Sequence, residues 1–484
     1  MASQDAAPGS EERGRAVPSA ESDTDPPRPV EEYPLPPGPD GYPLIGNTVA
    51  LLRDPFAFYD RLDEYGDVVR YEAAGNAYTT LLHPAYVEQV LVEEPDRFER
   101  WSFTDVGIEF APEGLLAIDH DDRWRRQRTV MQPAFTLDRI RSYADTMVEH
   151  TDRATDAWTD GEEVDLNAAF ERLTLRILSD VLFDLAVDPD GEDEPITRAA
   201  RLLNELSGPG RSLTMYLPKW LPTPTDRRYR REMEAYEARL DELIAARLEA
   251  GTGPDAESSD DDLLSILLHA EDPEGNGLSE TEVRDNMLTF MFAGHETTAL
   301  GLSYTFMLLA EHDDVVQRLR GELETVLDGE RPGFEHVPEL AYTEQVVREA
   351  LRLYPPAFVL FRRATEDAVV GGYRIPEGTI LTLPQFHIHT DERFFDDPDS
   401  FSPDRWDADA SARPEYAYFP FGGGPRHCIG MRFAMLEMQL VVATVVREFD
   451  LTLLSDPDPA FSPGVTLQPE ENVRVRVRRR PSAR

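Results

Sequence analysis

Phe421-Gly422-Gly423-Gly424-Pro425-Arg426-His427-Cys428-Ile429-Gly430 decides how the rest of this chain is read. It carries the single cysteine of 484 residues, in a glycine-rich loop followed at once by an amphipathic helical pattern, Met431 to Val446. A free cysteine is ordinarily a small buried hydrophobe. Here glycines let the backbone approach something flat and bulky, Arg426 adds a permanent positive charge, and a helix N-terminus favours a thiolate. The stretch describes an anionic sulfur held open as a ligand. One cysteine cannot supply the several ligands of a zinc or iron–sulfur site, although it can serve as one ligand of an iron.

Composition narrows the setting. The formal charge is −45, the aspartates and glutamates are spread along the whole chain, and Lys219 is the one lysine, so nearly all positive charge is arginine. Distributed carboxylate keeps a protein hydrated at the cost of self-repulsion that salt screens, the pattern expected of a salt-rich cytoplasm. Nucleic-acid binding fails on the sign of the charge. No apolar run is long enough to span a bilayer and no signal-peptide order opens the chain, so a soluble, cytoplasmic protein is expected. A lone cysteine excludes an intrachain disulfide framework.

Residues 1–32 are rich in Ala, Ser, Pro, Glu and Asp and read as a disordered tail. Tyr33 to Pro39 is a stiff polyproline-like entry to the body, residues 33–484. Two β-prone runs, Val68 to Tyr71 and Tyr78 to Leu82, flank a turn expected at Gly75-Asn76, and Pro84 opens a helix. Residues 96–118 carry Phe98, Trp101, Phe103 and Phe110, which either pad a core or wall a ligand pocket. The stretch from His120 to Arg128 reads as a helix that sets His120, Trp124 and Arg128 on one face, donors suited to carboxylates. Arg123, Arg125 and Arg126 form a basic face in an acidic protein. Residues 136–250 are helical with breaks at 188–191 and 208–210; the apolar, proline-punctuated stretch 216–222 supports a packed loop, and Gly251 to Asp262 a surface linker.

A long helix follows, capped by Ser279 and Glu282 and apolar nearly all round from Met287 to Ala310. In its middle stands Ala293-Gly294-His295-Glu296-Thr297-Thr298. Small residues there let a flat group lie against the backbone, and a carboxylate beside a hydroxyl in an apolar helix is costly unless it has a task such as proton relay. Glu349 and Arg352, three apart on a helix ending before Pro355-Pro356, can pair.

The spacing Phe421-x-x-Gly424-x-Arg426-x-Cys428-x-Gly430 resembles the haem-thiolate signature of the cytochrome P450 superfamily. The resemblance extends to the helix with Trp124 and Arg128, the Ala293 to Thr298 motif and the Glu349-x-x-Arg352 pair, in that order. It implies a mainly α fold with a smaller β-rich portion and a haem b cofactor with Cys428 as iron ligand. The motif positions Phe421, Arg426, Gly430 and Ala293 lie beside that group. Trp124, Arg128, often His120, and Arg362 would hold its propionates. Thr297 takes the catalytic position, with Glu296 as its partner in proton delivery, and Arg405 joins Glu349 and Arg352 in a structural trio. His389 matches a motif of the intervening meander, although it could equally be a packed histidine. Phe98, Trp101, Phe103, Phe290, Phe358 and Val359 are the implied pocket residues, residues 216–222 a lid, and the basic face of the Trp124 helix the border of the donor-docking surface. The implied activity inserts one atom of dioxygen into an apolar substrate, a fatty acid, terpenoid or similar lipid. Electrons would come from a separate donor, a ferredoxin with its reductase, since no dinucleotide fingerprint is present. A peroxide-driven or isomerising enzyme would not need the Glu296–Thr297 pair, and a gas sensor would be expected to carry a second signalling domain.

Overall fold

The structure, a computed structural model, describes residues 28–101, 110–119, 121–184, 195, 198, 224–251, 263–269, 271–272, 275–407 and 413–481. The tail through residue 27, Phe103, His120, the 216–222 stretch and the linker from residue 252 lie outside them. Val30–Glu32 form a 3-10 turn. The proline segment behind it docks on the body: Pro34 O accepts from Arg374 N and Pro37 O from Arg70 N.

The strands are β1 (Val68–Ala73), β2 (Asn76–Leu81), β3 (Phe98–Arg100), β4 (Glu163–Asp165), β5 (Val359–Ala364) and β6 (Ala368–Val370). Then come β7 (Tyr373–Ile375), β8 (Ile380–Pro384), β9 (Phe449–Leu453), β10 (Phe461–Pro463), β11 (Leu467–Pro469) and β12 (Arg474–Arg479). The largest sheet has five strands in the order β1-β2-β8-β5-β3. Its β1–β2 hairpin turns at Ala74-Gly75, both at positive φ (56° and 80°), and Asn76 is already paired with Ala73. The turn therefore sits one residue earlier than expected, with an alanine in the left-handed region the mirror-image turn demands. Strand β8, parallel to β2 and antiparallel to β5, is buried along its whole length.

Six helices position the site: α1 (Asp122–Met131), α2 (Leu137–Asp156), α3 (Leu166–Phe183), α4 (Glu280–Glu311), α5 (Ala341–Leu353) and α6 (Met431–Glu448). Helix α4 starts at a complete capping box: Glu282 N donates to Ser279 Oγ at 3.2 Å and Ser279 N to Glu282 Oε2 at 2.9 Å. Its apolar residues, Met287, Leu302 and Met307 among them, join the main core with residues of α3, α5 and α6. Each such side chain contributes about 1.5–3 kcal/mol by leaving water. A second core under the sheet gathers Leu91, Phe98, Leu381 and Phe419. The molecule is mainly helical, with the strands gathered into a smaller part.

Candidate active site

The Cys428 loop is a tight reversal. Cys428 N donates to Phe421 O at 2.9 Å and His427 N to Gly424 O at 3.1 Å. Gly424 has φ +64°, and a Cβ there would lie 1.8 Å from Leu91 O, so no other residue fits. Gly430 is the N-cap residue of α6. The loop is clamped from behind: His389 Nε2 accepts from Phe419 N at 2.9 Å, and Gln385 Nε2 donates to Phe419 O. Burial, reinforced by Arg352, lowers the His389 pKa to about 3, so the ring is neutral and keeps its acceptor.

The Cys428 side chain is accessible, yet burial by the surrounding loop pushes its thiol up; the Gly430 N–H and Arg128 act in the opposite direction.

Part-way along α4, where neighbouring residues are buried, Ala293, Gly294 and Thr297 are part-exposed. At 100° per residue they fall on one stripe. Thr297 Oγ1 donates to Ala293 O at 2.6 Å. Glu296 is 3% exposed, and its Oε1 accepts from Thr466 Oγ1 at 2.7 Å and Gln468 Nε2 at 2.5 Å. Phe290 lies on the same stripe one turn earlier, but its ring stacks on Phe135 with centroids 5.5 Å apart. Its neighbour Phe292 meets Phe110 at 5.1 Å.

Beside the loop stand three guanidinium groups. Arg100 and Arg362 are Cα partners across β3 and β5, and Arg426 lies close enough to repel Arg100. On the opposite face of the same ladder Glu99 pairs with Arg363 at 3.6 Å, a complementary pair. Like charges directly opposite on strands are destabilising. Burial, then Arg426 and Arg362, lowers the Arg100 pKa to about 9; burial brings Arg362 to about 10, and burial with Arg362 does the same to Arg426. Asp119 offsets part of this at Arg100 and Arg426, but among the described residues none of the three arginines makes an ion pair. Arg426 Nη2 donates to Ile118 O at 2.5 Å, and its guanidinium lies over Trp124, 4.9 Å from the ring centroid. Arg128 donates to His427 O at 3.0 Å.

Other expected residues fall as follows. Helix α1 begins at Asp122 with Asp121 as N-cap, and His120 lies outside the described residues. Phe98, 2% exposed, packs in the sheet core and is corrected from pocket to core. Trp101 lies against Phe361 at 5.0 Å, Phe358 near Phe386 at 6.0 Å, and Val359 opens β5, each part-exposed. The arginines of α1 are not a free basic face: Arg123 pairs with Glu113, Arg126 with Glu282 at 2.5 Å, and Arg125 with Asp122 at 3.0 Å. Glu349, fully buried, accepts from Arg352 Nε at 3.0 Å, Arg405 Nε at 2.7 Å and Trp406 Nε1 at 2.9 Å. Arg352 continues to His389 O and Pro398 O, which ties helix α5 to the meander. Arg100, Trp406, Thr466 and Gln468 escaped the sequence reading. Only strand register reveals Arg100, and only tertiary packing the others.

The accessible cysteine, the small-residue stripe on a buried helix and the uncompensated arginines describe a place for a flat, dianionic, iron-holding group. The family model for cytochrome P450 matches residues 36–477. The chain belongs to the cytochrome P450 family. It is 34% identical over 442 residues to cyclooctat-9-en-7-ol 5-monooxygenase of Streptomyces melanosporofaciens, covering 91% of this chain and 94% of that one. It is 32% identical to pentalenene oxygenase of Streptomyces avermitilis, covering 87% and 92%. The retinoic-acid-bound cyanobacterial CYP120A1 superposes with a TM-score of 0.81 at 28% identity, covering 93% of this chain and 100% of that one. This P450 is accordingly a monooxygenase of the haem-iron class, and its own residues fit that group: an accessible sulfur for the iron and spare cations for two carboxylates. Among the described residues no helix is long and apolar enough to cross a membrane.

Proposed function

We propose that this P450 binds haem b through Cys428 and hydroxylates a terpenoid or related isoprenoid hydrocarbon with electrons from a separate ferredoxin. The observation that carries the cofactor reading is the Arg100, Arg362 and Arg426 group, three closely set cations, Arg362 buried and the other two part-exposed, that no ion pair among the described residues compensates in a protein of net charge −45. Two propionates would neutralise it, with Trp124 fixing Arg426 by its ring face and Arg128 bracing the loop at His427. Bound haem iron supplies the activation of dioxygen, one atom of which enters the substrate while the other leaves as water.

The chain's own residues do the rest. Ala293, small and part-exposed, leaves the cofactor and substrate room against α4, while Gly294 admits Leu178 of α3, which a Cβ there would meet at 2.9 Å. Thr297 can exchange its bond to Ala293 O for one to a ligand on the same stripe, and Glu296 beside it holds a proton-accepting oxygen in place. Trp101, Phe358 and Phe361, each part-exposed, offer aromatic surface that suits a hydrocarbon without charged groups. The names of the two Streptomyces relatives support polycyclic terpenoids over fatty acids. Residues 33–484 would form one haem domain and act in the cytoplasm.

Thr297→Ala tests the relay. Replacing the hydroxyl is expected to lower product formed per NADH consumed by about tenfold or more, with the balance appearing as hydrogen peroxide. Unchanged coupling would remove Thr297 from the reaction.

A further inference from the structure

We propose that Thr466 and Gln468 are positioning residues that hold the Glu296 carboxylate for proton transfer. The inference rests on the relay reading of Glu296 and concerns the hairpin β10–β11. Thr466 and Gln468 are two residues apart on an extended segment, so both side chains leave the same face. That face meets α4, where both donate to a single oxygen, Glu296 Oε1, at 2.7 and 2.5 Å. The intervening Leu467 is pinned by its backbone on both sides. Its carbonyl accepts from Tyr304 Oη, two turns further along α4, at 2.5 Å. Its N–H donates to Pro356 O at 2.9 Å, the residue before the Ala357 to Phe361 segment. Thr466 is 3% exposed and Tyr304 fully buried, so water competes for neither bond.

Two donors on one buried oxygen do more than anchor a hairpin. They favour the charged form of the carboxyl and fix which oxygen is engaged. A purely structural staple would use the same contacts and shift the carboxyl in the same direction, so Gln468→Leu and Thr466→Val are also assayed for peroxide released per NADH, which a staple alone would leave unchanged. The contacts to Pro356 and, through Phe461, to Phe56, itself 6.3 Å from Phe358, also place the hairpin beside the segment that leads into β5.

The test is a pH titration of the haem-loaded ferric protein by infrared difference spectroscopy, with the Glu296 C=O band defined as the one lost in Glu296→Gln. In Gln468→Leu and Thr466→Val the band is expected at least about one pH unit higher than in the unaltered protein, because donors that favour the carboxylate are gone. Thr466→Ser, which keeps the donor, should restore the original midpoint. A band that titrates at the same pH in both variants overturns the proposal. In parallel, Glu296→Gln is assayed for peroxide released per NADH and for the solvent isotope effect on oxygen uptake. No change there overturns the relay reading itself, whereas a large change with an unmoved band overturns only the hairpin's part.

Discussion

Arg100 and Arg362 face each other across two strands with Arg426 nearby, an arrangement that works against the empty fold and in favour of one containing a dianion. Arg100→Met should therefore have opposite effects on two measurements. Thermal unfolding of haem-free protein should move to higher temperature, since one of three repelling charges is removed. Haem retention, followed by transfer to an apo-globin acceptor, should weaken by roughly tenfold to a hundredfold, the value of one hydrogen bond to a charged group. A variant destabilised in both states would mean that Arg100 serves the sheet alone. The residue scale is also where the sequence was most uneven. Cys428 was legible because a lone cysteine in a glycine loop has few bland explanations. Arg100 was not, because Phe-Glu-Arg carries no spacing signal and its meaning comes from the register of a strand about 260 residues away. Phe98 was read as half core and half pocket, and burial among Leu91, Leu381 and Phe419 decides for the core.

At the scale of elements, helix α5, the meander and the Cys428 loop are joined by buried ionic and backbone contacts. Glu349 sits under Arg352, Arg405, Trp406 and Ser402 N, and Glu349→Gln would leave Arg352, fully buried, without its counter-charge. A loss of about 3–5 kcal/mol in urea unfolding is expected. A loss below about 1 kcal/mol would show that the backbone carbonyls around Arg352 suffice. The helical turn after β8 offers a pH test. His387 lies 3.4 Å from Asp60 and 3.0 Å from Asp63; burial opposes its charge, but the two carboxylates outweigh burial and raise its pKa to about 9. Because the folded value lies above the ordinary 6.5, this stabilisation is fully present below pH 6.5 and lost as pH rises through 9. The gap in melting temperature between the unaltered protein and His387→Gln should be wide at pH 6 and nearly closed at pH 10. An equal gap at both would rule His387 out as a charged tie. Helix caps and the first hairpin were readable locally, the hairpin to within one residue. The pairing of β2 with β8 was not, since parallel partners about 300 residues apart leave no local periodicity.

Over the whole molecule, the ordered series of motifs made the fold legible before any coordinate. The charge of −45 gave less, because many arginines are spent on internal pairs: Arg123 and Arg126 on Glu282, Arg405 and Arg352 on Glu349. The arginine face of α1 is largely neutralised by the chain's own acids. What unites the scales is one claim, that Cys428 presents a sulfur to haem iron between the small-residue stripe of α4 and the arginines of the sheet. The absorption spectrum of the dithionite-reduced protein with carbon monoxide tests it most directly. A Soret band at the long-wavelength position peculiar to thiolate-bound ferrous haem, lost in Cys428→Ser, is the predicted result. The same spectrum in both proteins, or no haem bound by folded protein, would contradict the account.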